Sequence, residues 1–222
     1  MNFLNLTGSQ WRNVVGSWVR SRGSEVFDDS DRERLQKLFE KYMPETLRYF
    51  AGNMPSIIPF NDVSLSVSVI QLLETVLTRN IVINDFALES VFVFCLIWGV
   101  GSILTISENG TDNRKIFSDW FRSKFKSVKL PSRDTVFDYW LDVRTNKFES
   151  WKSSPVFRAV DFHSEVMNMS EITVPTNETA SISYWLNALV KHGTNVMLAG
   201  TYVHTCEIVH DQISLFSYSR IS

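Results

Sequence analysis

A buried strand that runs into glycine is how a phosphate-binding loop begins, and Val196-Met197-Leu198-Ala199-Gly200 has that form. To hold a nucleotide, such a loop needs a second glycine five residues on, then lysine, then serine or threonine. This chain has Thr205, Cys206 and Glu207 at those positions. The lysine that neutralises phosphate is missing, and a carboxylate stands where a hydroxyl should hold magnesium. The tail that follows carries His204, Cys206, Glu207 and His210. His-x-Cys-x3-His is not a spacing used by structural zinc sites, and a fourth ligand would be needed, so no metal is expected. Cys206 beside a histidine resembles a nucleophile and base, but no oxyanion donor or orienting acid accompanies it. Asp138, Asp142 and Glu149 form a further acidic set, whose simplest reading is solvated charge around a hairpin. The sequence assigns no catalytic residue.

The glycine is reached through Val174–Gly200, which reads as a short strand, a capped helix, a turn and a second strand. Thr176 is a good N-cap, and Glu178 places an acid in the first turn, where the helix dipole favours it. Ile182, Trp185, Leu186, Leu189 and Val190 recur at helical spacing. Lys191 and His192 suit the helix end, and Gly193 can take the left-handed stop conformation. An α/β fold needs several parallel strands covered on both faces. Thr201–Ser222 offers no second such unit, so the sequence reads as cut off.

The 222 residues allow one large domain or two small ones. An apolar fraction of 44% with 21% charged residues excludes disorder. Seven Trp and sixteen Phe imply large buried contacts or partner surfaces. A net charge of −2 gives no reason to expect nucleic acid. Cys95 and Cys206 suggest no disulfide framework, as in a reducing compartment. The start, MNFLNLTGSQW, lacks the basic and apolar runs of a signal peptide. Without secretion, sequons such as Asn109-Gly110-Thr111 carry no meaning.

Taken in order, Trp11, Val14, Val15, Trp18 and Val19 make a short amphipathic helix. Ser30 and Glu33 form a capping box for a second helix, with Leu35, Leu38, Phe39, Tyr42, Leu47 and Phe50 as its stripe and Pro44 kinking or splitting it. Met54–Phe60 is a packed loop. Asn61 or Asp62 caps a third helix with Val63, Val67, Ile70, Leu73, Val76 and Leu77 on its face. Asp85 starts a fourth, apolar nearly all round from Val91 to Val100. Its uncharged stretch is barely long enough for a bilayer, is broken by Gly99, Gly101 and Ser102 and lacks a basic flank, so it reads as a buried central helix and not a membrane span. Asp112 caps a fifth, with Phe117, Trp120, Phe121 and Phe125 inward. Its Arg114, Lys115, Arg122 and Lys124, with Lys126 and Lys129 beyond, read as a solvated basic face. Thr135–Leu141 alternates as a strand and Lys147–Trp151 returns as a hairpin.

Several of these stretches together resemble the dynein heavy chain motor, at the junction of its second and third AAA+ modules. They are WRNVVGSW (Trp11–Trp18), LFEKYMPETL (Leu38–Leu47), Ile57–Pro59, QLLETVL (to Leu77), VFVFCLIWGVG (Val91–Gly101), NRKIFSDWFRSKF (Asn113–Phe125), TVFDYWLD (Thr135–Asp142) and Val174–Gly200. They stand in the family's order over about residues 1 to 200, and FSDWFRSKFKSVKLPSRDTVFDYWLD is similar to axonemal more than to cytoplasmic chains.

The resemblance implies a mainly α chain with a small α/β portion. Residues 1–110 would be a helical AAA+ lid, 111–200 the incomplete start of the next P-loop α/β module, and 201–222 a divergent tail. It places Val174, Pro175, Thr176 and Gly200 at the remnant of a nucleotide site. It implies no cofactor for this chain, but ATP or ADP with magnesium in the intact family. Implied partners are the other AAA+ modules of the ring and, through the parent protein, intermediate chains, light chains and microtubules, in a ciliary or flagellar axoneme. Neither nucleic acid nor a membrane is expected. A chain without the lysine loop should not hydrolyse ATP, although the family is an ATP-driven, minus-end-directed motor. The sequence also allows a different class of protein, a free-standing helical interaction module.

Overall fold

The computed structural model describes residues 10–21, 28–52, 54–77, 85–107, 109–157 and 175–196. The chain divides into two compact units, Met1–Phe148 and Glu149–Ser222.

In the first unit, five helices follow one another: α1 (Gln10–Ser21), α2 (Asp29–Ala51), α3 (Asp62–Val76), α4 (Asp85–Gly101) and α5 (Asn113–Lys124). Most caps fall where sequence places them. Asn61 accepts from Ser64 N at 2.8 Å while Ser64 Oγ accepts from Asn61 N, a reciprocal box. Asp112 accepts from the backbone N–H groups of Arg114 and Lys115. The expected Ser30–Glu33 box does not form. Asp28 caps α2 instead, accepting from Asp31 N at 2.7 Å, because the helix begins at Asp29 and Ser30 already lies within its first turn.

Pro44 does not split α2, since the helix runs unbroken over 23 residues. Its missing N–H and ring clash cost about 3 kcal/mol in an isolated helix. Buried Leu35, Phe39, Tyr42 and Met43 before it, and Leu47 and Phe50 after it, anchor both halves in the core. The expected α3 stripe is buried at Ile70, Leu73, Val76 and Leu77, and the buried face is wider than that stripe. Leu65, Val69, Leu72 and Leu73 are buried, whereas Val63 and Val67 are only half-buried. Val14 and Leu38 are likewise half-buried.

Helix α4 is the centre of the unit. Every residue from Ser90 to Gly101 is buried, and among the described residues no helix is long and apolar enough to cross a membrane. Helices α3 and α4 approach so closely that a Cβ on Gly99 would lie 2.8 Å from Val69 Cγ2 and 2.9 Å from Val69 Cα. A continuous aromatic cluster surrounds this helix. Phe39 meets Phe92 edge-on at 4.8 Å, Tyr42 packs on Phe125 at 4.7 Å, and Tyr49 stacks on Trp120 at 3.9 Å. Cys95 is fully buried, and burial pushes its thiol well above the ordinary range.

After α5 the expected strand over Thr135–Leu141 begins late. Val136–Asp138 forms a 3-10 turn first, because Asp138 folds back to accept from Thr135 N and Thr135 Oγ1. Then β1 (Tyr139–Asp142) pairs with β2 (Lys147–Ser150).

The second unit holds a short 3-10 turn, Trp151–Ser153, and α6 (Asn177–His192). Gly193 stops α6 at φ 76°, as the sequence indicates. Trp151 packs on Tyr184, with Trp185 and Leu186 buried beside them. The expected strands at Val174 and Val196–Ala199 fall wholly or mostly outside the described residues.

Candidate functional site

Of the four residues at the expected nucleotide remnant, Pro175 and Thr176 are described; Val174 and Gly200 lie outside the described residues. Thr176 serves its own helix. Its Oγ1 accepts from Thr179 N at 3.1 Å, and its N–H donates to Thr179 Oγ1 at 2.8 Å. Glu178 occupies the first turn, where a carboxylate competes with any phosphate for the helix N-terminus. Neither Pro175 nor Thr176 brings a cation.

The His204, Cys206, Glu207 and His210 cluster also lies outside the described residues. Among the described residues no group of three His, Cys, Asp or Glu is placed to hold a metal. The three hairpin acids serve their own turns. Asp138 holds Thr135, Asp142 accepts from Arg144 N and Thr145 Oγ1, and Glu149 accepts from Ser153 Oγ. The Thr145 and Arg144 bonds hold the Asp142 carboxyl below its usual range. A carboxylate bonded in this way is a turn staple, not a general base.

The first unit contains a polar junction that the sequence did not reveal. Glu89 on α4 accepts from Tyr42 OH at 2.7 Å and Lys41 Nζ at 2.5 Å, both on α2. Tyr42 OH and Lys41 Nζ also reach Ser127 Oγ, at 2.8 and 3.1 Å. One cluster thus ties α2, α4 and the segment after α5. Burial pushes the Glu89 carboxyl up, but the bonds from Lys41, Tyr42 and Ser127 outweigh it and hold it below the ordinary range. Burial also raises the Tyr42 phenol strongly, so it stays protonated as a donor. Nothing nucleophilic is freed by this arrangement; it fixes three elements in register. The partners are 47 and 85 residues apart, so no local pattern could announce them.

An open pocket of about 340 Å³ lies elsewhere on the first unit, lined by Trp11, Arg12, Pro44, Leu47, Arg48, Ala51 and Asp62. Its arginines are already engaged, Arg12 with Glu40 at 2.8 Å and Arg48 with Glu45.

The family model of the dynein heavy chain AAA lid domain matches residues 35–153. The chain is 34% identical over 203 residues to dynein axonemal heavy chain 9 of Homo sapiens, covering 90% of this chain and 4% of that protein. It is 34% identical over 202 residues to the ciliary dynein beta chain of Tripneustes gratilla, covering 89% and 4%. It is 28% identical over 227 residues to the flagellar outer arm dynein alpha chain of Chlamydomonas reinhardtii, covering 97% and 5%. The chain thus spans about a twentieth of the length of these relatives. A helical unit closed around α4, tied by Glu89 and matched through α2 to the hairpin by one family model, places this chain in the dynein heavy chain family, as a bearer of its AAA lid domain.

Proposed function

We propose that this chain is the lid-bearing segment of an axonemal-type dynein heavy chain, and that it acts as a passive mechanical part without ATP turnover of its own. The observation that carries the reading is the match to the lid domain over residues 35–153, which covers the Glu89 junction and the aromatic cluster. In this reading the lid extends past the boundary near residue 110, because Phe117 of α5 packs on Phe50 and Tyr49 of α2. Residues from about 149 then open the next module. ATP or ADP with magnesium belongs to intact modules of the ring. The partners are neighbouring AAA+ modules and, through the whole heavy chain, intermediate chains, light chains and microtubules. The similarity to ciliary and flagellar chains supports an axonemal site of action.

Two measurements test this. Purified chain incubated with ATP should release no phosphate above a boiled control; turnover would overturn the passive reading. Peptides of this sequence should appear in salt extracts of isolated axonemes. Their recovery only from other cell fractions would overturn the axonemal one.

A further inference from the structure

The segment after α5 concentrates charge in a way the rest of the first unit does not. Between Asp119 and Asp134 there is no acid, yet Arg122, Lys124, Lys126, Lys129 and Arg133 all fall there. Several cations elsewhere on this unit are matched: Arg12 to Glu40, Arg32 to Asp29, Arg34 to Asp85, Lys37 to Glu33 and Lys41 to Glu89. Lys124 joins that pattern through Glu45 at 2.8 Å, and Arg122 turns to the carbonyls of Arg133 and Asp134. Lys126, Lys129 and Arg133 are exposed, and among the described residues no side-chain hydrogen bond or ion pair holds them.

The backbone beneath these three cations is fixed. Phe125 and Val128 are buried and alternate with Lys126 and Lys129. Ser127 is tied to Tyr42 and Lys41. At the far end the Arg133 carbonyl accepts from Tyr139 OH at 2.7 Å. Charges on a pinned loop lose less freedom on binding than charges on a loose arm.

We propose that the Phe125–Asp134 loop is a docking surface for a carboxylate-rich polypeptide segment. Its charge complements such a partner, and the overall net charge of −2 makes it a local positive feature on an otherwise weakly acidic chain. A single-stranded nucleic acid would want stacking platforms, but Phe121 and Phe125 are buried and Trp120 is stacked on Tyr49.

The test uses the full 222-residue chain and a fluorescein-labelled oligoglutamate peptide, read by anisotropy. Binding should be measurable at low ionic strength and weaken toward about 0.15 M salt. The combined substitution Lys126→Gln, Lys129→Gln and Arg133→Gln should weaken it about tenfold, the order that three exposed charge contacts support. Removing the same number of charges elsewhere, by Arg20→Gln, Lys37→Gln and Lys152→Gln, should leave it within about twofold of wild type beyond the screening expected from net charge. Near-ultraviolet circular dichroism checks that the triple variant folds; if it does not, Lys126→Gln alone should still weaken binding about twofold. Equal affinity of wild type and loop variants overturns the proposal. So does tighter binding of an oligothymidylate or of phosphatidylserine vesicles than of oligoglutamate.

Discussion

Helices α4 and α6 face opposite situations. In α4 every side chain from Ser90 onward is buried, and α3, α2 and β1 cover it within its own unit. In α6 only Ala180, Ser181, Trp185 and Leu186 are buried; Ile182 and Leu189 are half-buried and Val190 is 37% exposed. The first helix has spent its whole surface on the fold. The second keeps an apolar stripe that its own unit uses only in part. Burial on all sides makes a position intolerant, whereas a half-used stripe leaves room for change in the isolated chain.

The contrast is open to attack by substitution. Phe92→Ala should cost about 4 kcal/mol in chemical denaturation, since it empties the ring position against which Phe39 and Tyr42 pack. A loss below about 1 kcal/mol would mean that α4 is not the keystone. Gly99→Ala should cost about 2 kcal/mol, because the added methyl meets Val69 backbone that cannot swing away. A neutral result would show that α3 and α4 slide apart freely. Asn61→Ala removes one half of the α3 cap and should cost about 1 kcal/mol.

Acid sharpens the comparison further. The Glu89 carboxyl sits below its ordinary range in the folded state. Its stabilisation is therefore complete above the unfolded carboxyl value and is lost as pH falls through the lower folded one. Denaturation midpoints of wild type should drop on acidification through about pH 4, and Glu89→Gln should flatten that drop. An identical slope in both would remove Glu89 from the account. The smallest effect is expected on α6, where Val190→Ser should stay within about 0.5 kcal/mol. A large loss there would mean that α6 is far better covered than its exposure indicates.

The helices were legible because apolar spacing and caps act within a few residues. Trp11, Val15, Trp18 and Val19 announce α1, Asn61 and Asp112 mark their helices, and Thr176 with Gly193 brackets α6. Sequence reasoning failed where distant packing overrode a local rule. Pro44 reads as a breaker until Phe39 and Phe50 are seen gripping both flanks. The α3 stripe holds at Ile70, Leu73, Val76 and Leu77, but Leu65, Val69 and Leu72 are buried too, because α1 and α4 both pack on this helix and widen its buried face. The Glu89 junction was invisible for the reason that gives it value: it joins parts of the chain far apart in sequence. The family resemblance rested on ordered stretches, while the nucleotide remnant rested on four residues, of which Val174 and Gly200 lie outside the described residues and Thr176 caps α6 as its sequence position indicates.

The burial of Cys95 has a practical consequence. A thiol sealed on α4 and held protonated reacts with alkylating reagents only when the helix is uncovered. In a Cys206→Ser background, its labelling rate becomes a built-in clock for the opening of the lid. If the lid flexes as a mechanical part, that clock would run at one speed in the free chain and at another when the surrounding ring restrains it.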